Sequence, residues 1–202
     1  MNGRENMAWR VKRHAEGRLD WLLNRAPESA AKATLAELRR GVGRVPGDLP
    51  TLWGMLLQDM PEDMYGKGAE PSRQEIAVYT ALTLFAVHQQ GWDLRRQPMH
   101  RADQSFGSAV AQLITPADDG CRERVERRFS QLVTSVDMPE FSNHLRGLVQ
   151  PLDWAELARQ IYIFQNPTAV SGMRLRWGED FYSALNRGTD ENEKEEKDHD
   201  NE

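Results

Sequence analysis

Residues 72–90 read SRQEIAVYTALTLFAVHQQ, and this stretch decides the fold class. Ser72 and Glu75 have the spacing of a capping box, in which a hydroxyl and a carboxylate satisfy each other's backbone N–H groups at a helix start. The residues that follow are apolar nearly all round, which predicts a buried helix at the centre of a helical core. Working outward, Val125, Phe129, Leu132 and Val136 recur at i, i+4, i+7 and i+11 and define one helical face. Asp137 with Glu140 marks another helix start, followed by the stripe Phe141, Leu145, Leu148. Asp153 with Glu156 marks the next, ahead of Leu157, Ile161 and Phe164. Met173, Trp177, Phe181 and Leu185 make the inner face of the last helix. Two earlier helices fit 8–26 and 28–40, with Pro27 at a first-turn position, and a short one fits 49–58. No segment alternates with period two. The expectation is an all-α protein of about eight or nine helices in a compact, bundle-like arrangement.

Glycine and proline clusters punctuate the pattern, and GWDLRRQP (91–98) is the best candidate for a boundary. It predicts an N-terminal helical half, 1–92, and a C-terminal helical half, 100–188. Residues 189–202, TDENEKEEKDHDNE, carry eight acids and two lysines and have nothing apolar to bury. They are expected to form a disordered acidic tail. The 202-residue chain has a net charge of −5, but the tail alone supplies −6, so the body stands at +1. Of the 24 basic residues in the body, 21 are arginine. A genome rich in G and C would give that bias. So would recognition of phosphate or carboxylate, which the planar guanidinium can grip at two points.

Several function classes are disfavoured. The longest near-apolar run, Ile76 to Val87, is too short to span a bilayer, which takes about twenty residues. The start, MNGRENMAWRVKRH, has no apolar run of the signal-peptide kind, which predicts a cytoplasmic product. A single cysteine, Cys121, leaves neither an internal disulfide nor a multi-thiolate zinc site. The five histidines are too widely spaced for a local metal-binding pair, and GKGAEPS around Lys67 lacks the phosphate-loop spacing. Asp118 with Asp119, and Glu179 with Asp180, are neighbours that would point about 100° apart on a helix, which suits caps better than a shared metal. His88, His144 and Cys121 read more naturally as packed core or half-core residues than as reactive groups. No catalytic, metal or cofactor site is expected.

The arginines fall into four clusters. On the first helix, Val11, Ala15, Leu19, Leu22 and Ala26 form the buried stripe. Arg10, His14, Trp21 and Arg25 lie opposite, flanked by Arg13 and Arg18. That face offers phosphate contacts and a stacking ring, or else it is a solvated face whose Trp packs on a neighbour. Arg39, Arg40 and Arg44 join a helix C-terminus to a glycine loop, where cations complement the helix dipole and glycines let backbone amides approach phosphate. Arg122, Arg124, Arg127 and Arg128 alternate with Glu123 and Glu126, a mixture expected to pair with itself. In MRLRWGEDFY, Arg176 precedes Asp180 by four residues, the spacing of an ion pair. Arg174 has no obvious partner.

Four phrases taken together resemble the CasB family, the small subunit of Cascade, the type I-E CRISPR surveillance complex. They are ALTLFAVHQQ (81–90), VERRFSQLVTS (125–135), HLRGLVQPLDWAELARQI (144–161) and RLRWGEDFY (174–182), in the family's order from about Leu35 to Arg187. The resemblance implies an all-α, non-catalytic protein present as two copies beside the backbone subunits and the large subunit. Its basic surface would help hold the crRNA–target DNA region and the displaced strand. By position, Arg39, Arg40 and Arg44 match the family's early basic loop. Arg128 matches the ERRF position, Arg146 the HLRG position, and Arg174 and Arg176 the R-x-R-W position. One segment departs: where family members carry arginines in a Gly-x-Ala-x-x-x-Leu stretch, this chain reads FGSAVAQL (106–113), and Arg101 is the nearest substitute.

The candidate nucleic-acid-binding set is therefore Arg10, Arg25, Arg39, Arg40, Arg44, Arg128, Arg146, Arg174 and Arg176. A near-neutral body binds nucleic acid if its arginines are segregated, and in an RNA-guided complex such a subunit needs backbone contacts rather than base readout. The alternative is a helical protein–protein adaptor whose arginines meet acidic partner surfaces.

Overall fold

The capping signals at Ser72, Asp137 and Asp153 become helix starts in the computed structural model, which describes residues 6–115, 118, 120–148 and 150–199, with side chains as far as 188. In chain order the helices are α1 (Met7–Asp20), α2 (Glu28–Arg40), α3 (Trp53–Leu57), α4 (Arg73–His88) and α5 (Phe106–Ala111). Then come α6 (Cys121–Val133), α7 (Met138–Leu145), α8 (Trp154–Phe164) and α9 (Val170–His199). A π-helical turn, Trp21–Arg25, extends α1, and 3-10 turns at Pro50–Leu52 and Glu62–Met64 flank α3. Among the described residues there is no strand. One parallel bridge between His100 and Leu152 is the whole of the extended pairing.

The capping box forms as the sequence predicts. The Ser72 hydroxyl accepts the Glu75 N–H at 3.0 Å and the Glu75 carboxylate accepts the Ser72 N–H at 2.7 Å. The same carboxylate accepts from Gly66 at 2.8 Å, so it also closes the preceding loop. From Ala77 to Ala86 every residue of α4 is buried. Helices α2, α1, α7 and α8 pack around it. Asp137 and Asp153 cap α7 and α8 by accepting backbone N–H groups of Glu140 and of Ala155 and Glu156.

Helix α8 lies against both α1 and α4, so a single core runs across the 91–98 segment. Lys12 on α1 pairs with Asp153 at 3.3 Å and Glu156 at 3.4 Å at the start of α8. Burial disfavours the Lys12 charge, but the two carboxylates outweigh it and hold its pKa above the usual lysine value. At the other end of the molecule, α5 packs on α9 so closely that only glycine fits at the crossing. A Cβ on Gly107 would lie 2.3 Å from the Trp177 carbonyl oxygen. Aromatic side chains fill the space around this crossing: Phe106 meets Trp177 edge-on at 4.9 Å and Phe129 stacks on Phe181 at 4.8 Å. The buried Trp177 indole N–H donates to Gln160 at 2.7 Å, as a buried polar atom must.

Two expectations are corrected. The helix expected over 8–26 is α1 plus a π turn, closed by an Ala26 N–H to Trp21 carbonyl bond of 2.8 Å. Trp21, the first residue of that turn, is half-buried against the core rather than on the open side of the helix. Val136 does not continue the buried face of α6 but is 86% exposed. The helix stops at Val133 because the Thr134 and Ser135 hydroxyls donate to the carbonyls of Ser130 and Gln131 and end the ladder. The disordered acidic tail expected over 189–202 falls where side chains lie outside the described residues. The backbone of α9 is helical as far as His199, consistent with the high helix propensity of Glu and Lys. The side chains beyond 188 and residues 200–202 lie outside the described residues.

Candidate nucleic-acid interface

The basic face expected on α1 is mostly covered. The segment from α3 to the Glu62–Met64 turn lies across it and inserts Met60 and Met64 into the core. His14 is buried, its Nε2 2.8 Å from the Leu56 carbonyl, and burial pushes its pKa below the usual value. Arg18 is also buried, with one guanidinium nitrogen 2.9 Å from Asp59 and its Nε unpartnered. Asp59 takes a left-handed backbone (φ 61°), which an aspartate tolerates better than most residues. Arg10 makes a two-point pair with Asp63 at 2.6 and 2.7 Å. Arg25 is exposed and pairs with Asp20 at 2.8 Å while donating to the Gly17 carbonyl. A shallow groove of about 290 Å³ does hold Arg10, Arg13, Arg18 and Arg25 together, but Asp59 sits in it and Asp63 and Asp20 hold Arg10 and Arg25. The expectation of an open phosphate-binding face on α1 is corrected accordingly.

The second cluster divides. Arg40 is exposed and pairs with Glu37 at 2.5 Å. Arg39 and Arg44 have no ion-pair partner among the described residues, Arg39 being half-buried and Arg44 exposed. Tyr79 holds the chain between them in place by donating to the Gly41 carbonyl at 2.9 Å. Arg39 lines a groove of about 570 Å³ between α2 and the loop that follows α4.

In the third cluster Arg122 pairs with Glu126, and Arg124 with Asp118, as the alternation predicts. Arg127 and Arg128 are exposed on the outer side of α6, without an ion-pair partner among the described residues. Arg146 caps the C-terminus of α7 and is exposed. The residues of FGSAVAQL are occupied in packing α5 on α9, with Ala109, Val110 and Ala111 buried. Arg101, the suggested substitute, is exposed.

The fourth cluster carries a further correction. Arg174 is not a free cation: it donates to the Ser135 carbonyl at 2.8 Å, lies 5.5 Å over the Phe164 ring, and its Nε is buried without a partner. Arg176 is exposed beside Arg159 at a small groove of about 210 Å³. The predicted Arg176–Asp180 ion pair is not among those of the described residues.

The structure therefore joins Arg10 with Arg25 in one groove, places Arg39 in a second and Arg176 in a third. Arg40, Arg44, Arg128, Arg146 and Arg174 line none of the three. Sequence reasoning missed Lys32, Trp92, Arg95 and Arg96 in the groove beside α2, and Arg159 beside Arg176. The signal for the former is present in GWDLRRQP, a tryptophan and paired arginines within a glycine–proline loop, but the same glycine and proline also mark a boundary. Among the described residues no group of three or more His, Cys, Asp and Glu side chains is placed to hold a metal. No described helix is long and apolar enough to cross a membrane.

Solved structures of known proteins share this fold. CasB from Thermobifida fusca is similar at 29% identity and a TM-score of 0.65, covering 86% of this chain and 96% of that one. CasB from Thermus thermophilus, at 22% identity and a TM-score of 0.62, shares the fold over 84% of this chain and 98% of that one. CasB from M. ruber does so at 21% and 0.61, over 87% and 96%. No curated protein sequence matches the chain. The sequence model of the family described as CRISPR-associated protein Cse2 matches residues 34–182, nearly three quarters of the length, and the chain belongs to that family.

Proposed function

We propose that this protein is a non-catalytic structural subunit of a crRNA-guided DNA surveillance complex of the Cascade type. Its unpaired arginines clamp the phosphate backbone in the crRNA–target DNA region and along the displaced strand. Family membership gives the complex, and one observation carries the clamping role. On a body of near-zero net charge, Arg39, Arg44, Arg128, Arg146 and Arg176 have no carboxylate partner among the described residues. A guanidinium left without an internal counter-ion is available to phosphate, and backbone contacts of this kind add affinity without reading sequence. The partners under this reading are the backbone subunits, the large subunit, crRNA, target DNA and a second copy of the chain.

The test is purification of the tagged full-length protein from its native host, with sequencing of co-purified RNA and mass spectrometry of co-purified proteins. The expected result is crRNA together with the other Cascade subunits. Protein partners without RNA would favour the adaptor reading and overturn this one.

A further inference from the structure

Beyond backbone clamping, the groove between α2 and the loop after α4 has the composition of a stacking site. Trp92 is 51% exposed at its edge, and Lys32, Arg39, Arg95 and Arg96 share the groove with it. Two acids are also there, and both are already engaged. Glu28 accepts from Lys32 at 2.6 Å, and one oxygen of Asp93 accepts the backbone N–H groups of Arg95 and Arg96 at 3.0 and 2.8 Å. Those amides hold the Asp93 pKa below the usual carboxylate range. Arg39 and Arg96 make no direct ion pair among the described residues, although the Arg96 charge also acts on Asp93.

The exposed ring stands on a fixed backbone. Gln89 is buried at 2% exposure, and its side-chain amide donates to the carbonyls of Trp92 and Gln97, both at 3.2 Å. Its carbonyl accepts the Met99 N–H at 2.8 Å. Gly91 takes φ +87°, the left-handed conformation that turns the chain out of α4. Leu94 packs against the core, and Arg95 donates to the Ala26 carbonyl at 2.7 Å, tying the loop to the bend before α2. A large aromatic surface left in water on a segment anchored at four places costs little further entropy on binding. A groove of about 570 Å³ also lies within the ~300–1,000 Å³ range of sites that enclose a small organic group. The α1 groove does not compete, because carboxylates hold its Arg10, Arg18 and Arg25.

We propose that this groove binds an unpaired nucleotide of a single strand, the Trp92 ring stacking on the base while Arg39 and Arg96 take the flanking phosphates. The proposal rests on the nucleic-acid reading above and deepens it. A duplex keeps its bases stacked on each other, so only a single strand can present a base face to the ring. Every base has such a face, so the site tolerates any sequence.

The experiment measures filter binding of the full-length protein to oligo(dT), to oligo(rU) and to a duplex, each about 15 nucleotides long, over a salt series. Wild type is compared with Trp92→Ala, Trp92→Phe and Arg39→Ala/Arg96→Ala, with circular dichroism as the fold control. Trp92→Ala is expected to weaken single-strand binding about 5- to 150-fold, the worth of one base–aromatic stack, and to leave duplex binding within about twofold. Trp92→Phe should keep most of the affinity. The arginine double variant should flatten the log–log salt slope on the single strand by about 1.4. A preference between dT and rU identifies the strand as DNA or RNA and supports the proposal either way. Equal losses on single strand and duplex, or no loss with Trp92→Ala, overturn this proposal while leaving the clamping reading intact. A wild-type protein that binds neither form overturns both, and displacement of wild-type binding by poly-glutamate alone would assign the groove to an acidic peptide instead.

Discussion

Arg174 and Arg176 stand two residues apart on α9 and should respond oppositely to the same substitution. Arg174→Ala removes a charged hydrogen bond to the carbonyl of Ser135, a residue with no exposure, and that carbonyl is left without this donor. Hydrogen bonds to charged groups contribute about 1.5–3 kcal/mol. Contact with the face of Phe164 adds about 0.5–2 kcal/mol. Set against this, truncation relieves the unpartnered Nε. We expect a net loss of about 1–3 kcal/mol. For a chain of this size each kcal/mol moves the melting temperature by about 2–4 °C, so Arg174→Ala should melt about 2–12 °C lower. Arg176→Ala, at an exposed site, should melt within about 1 °C of wild type, since such changes are usually within about 0.5 kcal/mol.

Binding should separate the two the other way. If Arg176 meets one phosphate, its loss flattens the plot of log affinity against log salt by about 0.7–0.9, whatever the sequence. Arg174→Met, which keeps an apolar stem over Phe164, should recover part of the lost stability without changing that slope. The assays are differential scanning calorimetry of the isolated variants and target-DNA binding by assembled complexes over a salt series. Equal melting temperatures for Arg174→Ala and Arg176→Ala would refute the claim that the fold consumes one arginine and leaves the other. A salt slope unchanged in Arg176→Ala, with normal assembly, would remove Arg176 from the interface.

Two further outcomes follow from the core. Gly107→Ala would place a Cβ 2.3 Å from the Trp177 carbonyl and 2.8 Å from the Phe181 nitrogen, so α5 and α9 must separate; a loss of about 1–3 kcal/mol is expected in urea titrations, despite alanine's better helix propensity, and an unchanged midpoint would show that the crossing is looser. His88 is buried against Trp154 at 4.8 Å, and burial pushes its pKa down to about 4, the nearby Leu145 carbonyl offsetting this in part without forming a hydrogen bond. Between its ordinary value of 6.5 and about 4 the unfolded chain takes up a proton that the fold refuses. Stability is therefore whole above that window and falls by about 3 kcal/mol as pH drops through it. Chemical denaturation across that range should show a shallower decline in His88→Met, and parallel curves for the two proteins would count against the assignment.

What the sequence made legible was local. The Ser72–Glu75 box, the Asp137 and Asp153 caps and the stripes of α6, α8 and α9 each need only a few neighbouring residues to specify them, and each is present. What it concealed was long-range. Nothing in the periodicity of α1 says that the 53–64 segment will lie across its polar side, because that segment is held by Met60 and Met64 and by carboxylates some forty to fifty residues from Arg18 and Arg10. The outward position of Val136 is a failure of a different kind. Thr134 and Ser135 ended the helix by hydroxyl bonds that compete with the ladder, and a count of apolar spacing does not register them.

The same distinction explains why clusters of arginine in the sequence are a poor map of an interface. A guanidinium is useful to a phosphate only to the extent that the fold has not already neutralised it, and neutralisation is decided partly by near neighbours and partly by distant ones. Arg40 with Glu37 and Arg122 with Glu126 are quenched at helical spacing and can be discounted from sequence. Arg10 with Asp63 and Arg18 with Asp59 are quenched across the fold, and Arg174 is consumed by a carbonyl and a ring, so only the structure reveals them. Removing both kinds, together with Arg25, which pairs with Asp20, leaves Arg39, Arg44, Arg128, Arg146 and Arg176 from the sequence-derived set, and the loop after α4 adds Arg96 beside Trp92. The field available to a nucleic acid is that of these unpaired cations, and it can be strong locally although the body as a whole carries a net charge of only +1.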